Sequence, residues 1–372
     1  MMMLSNKRFV RVLALMLAAA SLCAGVGARA QQQPQQSQPP SAQQQKPAQK
    51  SDETVDDDDV ERVETDLTNV LFTAVDRNKR FITTLKQEDV RILEDGVPQQ
   101  VFTFVRETDR ALSLAILIDT SISQERTLPE EKRAAQQFVD TVIRPSKDEV
   151  AVLSFTGDAT LEQGLTSSAA RVRRALERVE FVPPSGYIGG GLVVPGGTPP
   201  ISGDNQSRAG STAIWDAVWV TSDEVLSDTS DKTRRAIILL TDGVDTSSRS
   251  SIGKAVDSAL KADAIIYTIG IGDNYYDGVD EGSLRKLSER TGGRAYFPRN
   301  ETDLRSAFAQ IQDELRSQYL VAYSPSNKAK DGTFRKVVID VKDPELRKNL
   351  KLTYRQGYFA RSVVEAKPVR RK

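Results

Sequence analysis

The chain predicts an α/β fold: a mostly parallel sheet with helices on both faces, joined to a small accessory β-domain. Three observations carry this. First, four short apolar, β-branched runs recur between Leu112 and Ile271: LSLAILI, EVAVLSF, RAIILLT and AIIYTIGI. Unbroken runs of this kind suit strands buried on both faces of a parallel sheet. Second, helical periods lie among and after them. Ile252, Val256, Ala259 and Leu260 share one face, as do Leu304, Phe308, Ile311 and Leu315. Such alternation implies right-handed crossovers. Third, both flanks of this region read as strands without helices to cover them.

Residues 1–30 read as a secretory leader. Lys7, Arg8 and Arg11 make a basic start, Val12 to Ala20 is apolar, and Ala28-Arg29-Ala30 has small residues where cleavage is defined. The apolar run is short of the roughly 20 residues a membrane span needs. Cleavage after Ala30 is therefore expected over retention as an anchor, with a secreted or periplasmic, cell-envelope location and no transmembrane helix left. Residues 31–59 form a Gln/Pro-rich and acidic tether, ending in Asp56 to Asp59. Its first twenty residues hold too little apolar surface to offset ordering entropy, so disorder is expected.

Residues 60–111 supply the N-terminal accessory strands. NVLFTAVD, EDVRILEDG and QQVFTFV read as β, with Asp95-Gly96 as a hairpin signal between the last two. Residues 112–317 are the α/β core. One stretch breaks its rhythm: Pro183 to Gly210 is rich in proline and glycine and has no regular period. Long stretches of this kind are functional or disordered. Residues 318–361 return to β in QYLVAYS, RKVVIDVK and LKLTYRQGYFA, and residues 362–372 are a basic tail. Each flank needs cover, so the economical arrangement pairs them into one small β-domain threaded from both ends of the core.

Composition excludes several chemistries. The 372 residues contain no histidine, which removes imidazole as general base or metal ligand. The single cysteine, Cys23, lies in the leader, so thiol catalysis and disulfides are excluded from the rest. Lys+Arg and Asp+Glu are 51 each; the leader holds Lys7, Arg8, Arg11, Arg29 and no acid, leaving 47 against 51, a net of −4. That balance has no footprint for nucleic acid.

Oxygen donors gather at predicted strand ends. Asp119, Ser121 and Ser123 follow LSLAILI, Thr212 precedes the apolar face of Ile214, Ala217 and Val218, and Asp242 ends RAIILLT. In open α/β sheets, ligands bind beyond the carboxyl ends of the strands. Two aspartates and three hydroxyls suit magnesium, which takes near-octahedral oxygen coordination and keeps waters. The alternatives are structural: a turn and N-cap at Asp119–Ser123, an N-cap at Thr212, and an ordinary turn at Asp242-Gly243. DNYYDG (Asp273 to Gly278) mimics a calcium loop, but Tyr275 stands at a ligand position and Leu284 where a bidentate Glu belongs.

LAILIDTSIS, GSTAIWDAV and ILLTDGVD resemble the three loops of a von Willebrand factor type A domain with a complete metal-ion-dependent adhesion site. ILEDGVPQQVFTF and SQYLVAYSPSN with GYFA resemble the secreted bacterial VWFA-related group. The resemblance covers about residues 60 to 360. It implies a Rossmann-like doubly wound fold and Mg²⁺, or Mn²⁺, held by Asp119, Ser121, Ser123, Thr212 and Asp242. It also implies protein ligands presenting an Asp or Glu. Pro183 to Gly210 departs from the family by its length. The expected function is an exported, non-enzymatic binding module. A structural subunit whose metal only staples loops, or a metal-assisted hydrolase, are the alternatives.

Overall fold

The computed structural model describes residues 67–107, 109–183, 211–230, 232–272 and 278–362. The expectations for the leader, the tether, the Gly/Pro-rich stretch from residue 184, the Asp273 loop and the tail lie outside these residues. In chain order the first strands are β1 (Thr68–Val75), β2 (Val90–Glu94), β3 (Val97–Gln99) and β4 (Val101–Arg106). The core follows as β5 (Leu112–Asp119), α1 (Leu128–Val142), β6 (Glu149–Phe155), β7 (Ala159–Thr166), α2 (Ala169–Arg178), α3 (Ile214–Val220), β8 (Arg234–Thr241), α4 (Ile252–Lys261), β9 (Ala264–Gly270), α5 (Glu281–Thr291), β10 (Ala295–Tyr296) and α6 (Glu301–Arg316). The C-terminal flank is β11 (Tyr319–Tyr323), β12 (Phe334–Val341), α7 (Pro344–Asn349), β13 (Lys351–Tyr354) and β14 (Gly357–Phe359).

The central sheet has the order β10-β9-β8-β5-β6-β7. It is parallel except for the β6–β7 pair. Every residue of β5, β8 and β9 is buried, as their continuous apolar runs require. Alternation divides them between the two faces. Leu114, Ile116 and Ile118 pack with Phe138 of α1, Leu176 of α2 and Phe308 of α6. Ala115 and Leu117 pack with Ile214 of α3, Val256 of α4 and Leu284 of α5. Each large aliphatic side chain so buried contributes about 1.5–3 kcal/mol. The chain runs from β5 outward to β6 and β7, then returns to β8 on the other side of β5. The reversal between β5 and β8 makes a crevice at their carboxyl ends.

The flanking strands form two four-stranded antiparallel sheets, β13-β1-β11-β4 and β14-β12-β2-β3. Both mix strands from the two ends of the core: β1 pairs with β11 and β13, and β2 with β12. They share one apolar cluster that includes Val70, Phe72, Ile92, Tyr319, Val321 and Ile339. The Phe72 and Tyr319 rings stack with centroids 4.9 Å apart. Beside this cluster lies a buried ion pair, Arg335 Nη1 to Glu94 Oε1 at 3.7 Å, with both side chains 2% exposed. The described residues include no helix long and apolar enough to cross a membrane.

Candidate metal centre

β5 and β8 are in register, with Ile118 opposite Leu240, so their next residues meet at the crevice. Asp119 is fully buried there. One carboxylate oxygen accepts the Ser121 backbone N–H at 2.9 Å, and the other accepts the Thr241 hydroxyl at 2.6 Å. The Thr120 backbone N–H and hydroxyl both donate to the Phe155 carbonyl, which fastens the loop to the end of β6. The Ser121 and Ser123 hydroxyl oxygens lie 3.1 Å apart. Gln124 donates from Nε2 to Ser123 Oγ at 3.3 Å and to the Ile271 carbonyl at 3.1 Å.

Asp242 follows β8 directly. Its Oδ1 accepts the Val244 N–H at 2.9 Å, and its carbonyl accepts the Asp280 N–H. Gly243 has φ +85°, and a Cβ there would lie 2.8 Å from Leu284 Cγ and 3.1 Å from the Asp280 carbonyl. Only glycine fits that turn without strain.

The Thr212 loop is stitched to the Asp242 loop. Thr212 donates its N–H to Thr246 Oγ1 at 2.8 Å, and its carbonyl accepts from the Thr246 and Ser247 N–H groups. Asp245 then takes the Ile214 N–H at 2.8 Å, while Ser248 Oγ takes the Trp215 N–H at 3.0 Å. Asp216 answers by accepting the Arg249 and Ser250 N–H groups.

These contacts bear on the capping alternatives, while Asp119 and Asp242 each accept the N–H two residues on, as a turn also does. α1 begins only at Leu128, after Thr127, so Asp119–Ser123 does not cap it. The first N–H groups of α3 are met by Asp245 and Ser248, so Thr212 does not cap that helix. Asp119, Ser121, Ser123 and Asp242 gather at the crevice. Thr212 sits beside them on its stitched loop, where its described bonds are made by its backbone.

The electrostatics fit a divalent cation. Burial pushes Asp119 up to about 7, and the neighbouring charge of Asp242 adds to it, against hydrogen bonds from Ser121 and Thr241. Burial also raises Asp242, eased by the hydroxyl of Ser123. Neither carboxylate makes an ion pair among the described residues. Two near carboxylates in a buried place lack a positive charge, and the surrounding donors are hard hydroxyl oxygens suited to magnesium or manganese. Thr241, Gln124, Asp245 and Thr246 escape the sequence reading. Thr241 alone carried a signal, standing next to Asp242 at the strand end.

Two family models, each described as a von Willebrand factor type A domain, match residues 114–194 and 201–310. No curated protein matches the chain. Among solved structures, the chain is similar to the conserved hypothetical protein BatB from Bacteroides thetaiotaomicron, at 18% identity over 55% of this chain and 98% of that one, with a TM-score of 0.40. It is similar to proximal thread matrix protein 1 from the mussel byssus with a zinc-occupied MIDAS motif, at 20% identity over 60% of this chain and 50% of that one, with a TM-score of 0.45. A von Willebrand factor type A structure from Catenulispora acidiphila is 15% identical over 81% of this chain and 74% of that one, with a TM-score of 0.44. With its central sheet matched from β5 into α6, the α/β core of this chain belongs to the von Willebrand factor type A domain family.

Proposed function

We propose that the chain is an exported, metal-dependent protein-binding module with no catalytic activity. Asp119, Ser121, Ser123, Thr212 and Asp242 would hold one Mg²⁺ or Mn²⁺. When bound, that ion offers an electrophilic position to the Asp or Glu side chain of a protein partner. The carrying observation is the pair of buried carboxylates, Asp119 and Asp242, raised by burial and with no cationic partner among the described residues. The two aspartates nearly neutralise a divalent charge, and the hydroxyls add none, so the site keeps its attraction for an outside carboxylate. Thr241 and the Ser121 N–H orient Asp119, and the Asp245 and Thr246 bonds keep the Thr212 loop against the Asp242 loop. The absence of histidine supports the non-enzymatic reading, since the site has no evident general base.

Calorimetry with Mg²⁺ on the wild type and Asp119→Ala, followed by partner capture from the cell-envelope fraction with and without EDTA, tests this. The wild type should bind Mg²⁺ and capture a partner that EDTA releases, and Asp119→Ala should neither bind Mg²⁺ nor capture the partner while remaining folded. Equal metal affinity in the two proteins, or capture indifferent to EDTA, would refute it.

A further inference from the structure

Gln124 directly follows Ser123 and is 0% exposed. A buried amide needs partners at both of its ends, and the partners fix which way it faces. Nε2 donates to the Ile271 carbonyl at 3.1 Å. A carbonyl can only accept, so the nitrogen end is defined by chemistry. At the other end, Oε1 accepts the Thr127 hydroxyl at 2.9 Å. The amide is thus strung between the residue that follows β9 and the residue that precedes α1. Its nitrogen carries a second hydrogen, and this one is directed at Ser123 Oγ, 3.3 Å away.

Ser123 is the member of the site that needs such support. Ser121 is buried, and its backbone N–H is bonded to Asp119. Ser123 is only half-buried and lies in a short turn of 3-10 helix, Ile122–Gln124. A serine oxygen offers one proton and two lone pairs. When Asp242 is ionised, its carboxylate takes the Ser123 proton; the Gln124 amide adds a lesser bond to the same carboxylate. Gln124 also takes one lone pair of the Ser123 oxygen. A single lone pair is left. The Ser121 proton serves Asp119 in the same way. The two hydroxyl oxygens, 3.1 Å apart, then face each other with no proton between them. Two oxygens in that relation gain from a cation and not from each other.

We propose that Gln124 is a positioning residue of the metal centre, its buried amide holding one lone pair of Ser123 and so directing the other into the crevice. This rests on the metal reading of Asp119, Ser121, Ser123, Thr212 and Asp242, and adds to it a residue that acts on the ion through Ser123. Groups that orient a metal's ligands in this way typically change its affinity by about 10- to 100-fold. Because the same amide holds the Ile271 carbonyl and the Thr127 hydroxyl, it also ties the serine loop to the ends of β9 and α1.

The test titrates the full-length protein with Mn²⁺ and reads the free ion by electron paramagnetic resonance. It compares the wild type, Gln124→Met, Ser123→Ala and the double variant. Methionine keeps the length of glutamine and removes its donor. With Ser123 present, Gln124→Met should weaken Mn²⁺ binding by about tenfold or more. In the Ser123→Ala background the same change should cost less than about threefold, whereas a residue that merely props the loop would cost the same factor in both. Near-UV circular dichroism in EDTA checks that each variant is folded. If Gln124→Met is not, Gln124→Asn makes the same comparison, since it keeps the amide but withdraws it from Ser123 by one methylene. Unchanged Mn²⁺ affinity in the Gln124 variant would overturn the proposal and leave the metal reading standing. An equal loss in the Ser123→Ala background would do the same. A wild type that binds no Mn²⁺ would overturn the metal reading and this assignment with it.

Discussion

Replacing Arg335 by methionine should destabilise the protein far more than replacing its partner Glu94 by glutamine. The two side chains meet across the β2–β12 pair, 3.7 Å apart. Their surroundings differ. Arg335 has other outlets: Nη2 reaches the Ala329 carbonyl at 3.1 Å and Asp331 at 3.3 Å, and Nε reaches Thr333 Oγ1 at 3.3 Å. Among the described residues, Glu94 has one cationic partner. Its Oε2 accepts the Tyr323 and Tyr358 hydroxyls, each at 2.8 Å, and its Oε1 has no hydrogen bond. Arg335→Met therefore leaves a carboxylate buried without a counter-charge, a change that costs about 3–5 kcal/mol. Glu94→Gln keeps an acceptor for both tyrosines and leaves Arg335 with Asp331, so the loss should be about 1–2 kcal/mol. Urea unfolding followed by near-UV circular dichroism reads the tyrosine-rich accessory sheets. Tryptophan fluorescence reads the core through Trp215 and Trp219. The methionine variant should lower the accessory midpoint by on the order of 1 M urea. Equal losses in the two variants, or a methionine variant within about 1 kcal/mol of wild type, would refute the asymmetry.

Two further outcomes are expected. Gly243→Ala meets both a positive φ and a clash with Leu284, so it should cost about 1–3 kcal/mol and weaken Mg²⁺ binding by displacing Asp242; thermal melts and calorimetry check the pair of effects. Asp148 sits where burial would raise its carboxyl, yet bonds from Arg144 and the Leu112 N–H hold it below the usual range. A depressed folded pKa gives stability that is present above the unfolded value and lost as pH falls through the folded one. The wild type should therefore lose this stability on acidification from the ordinary aspartate value down through the depressed one. Asp148→Asn should be weaker at neutral pH and show a flatter acid limb in urea titrations at several pH values.

The central strands were legible because β5, β8 and β9 are buried on both faces, which writes burial into consecutive letters. β7 was not, because ATLEQGLT lies at the sheet edge, half exposed and polar along most of its length. α7 was overlooked although Asp343-Pro344 is a helix start, and Asp343 accepts from the Glu345 and Leu346 N–H groups. The stretch LKLTYRQGYFA reads as one strand, yet it divides into β13 and β14 in separate sheets. At the crevice, Asp119, Ser121 and Ser123 stand close together in the chain and could be read from their spacing. Asp245 and Thr246 could not, since polar residues after Gly243 look like an ordinary turn until the loop they hold is seen. Glu131 is the clearest case: a glutamate in the first turns of a helix has the spelling of a solvated residue, and only packing reveals that it is enclosed.

The interleaving of the two flanks has a consequence for biosynthesis. β2 leaves the ribosome beside its hairpin partner β3 but long before β12 and β11, with Glu94 and Tyr323 separated by 229 residues. At about 5–20 residues per second, that interval is on the order of 10–50 s. Throughout it, Phe72 has no partner strand and Ile92 only the short β2–β3 hairpin, whereas the core strands find theirs among nearer segments. The accessory layer is thus made first at one end and completed last at the other. A nascent chain of this design stays open at its leading edge until nearly all of it exists. Premature termination between α6 and β12 therefore yields a core whose strands are all present, trailing unpaired flanking strands, a ready substrate for chaperones, proteases or aggregation.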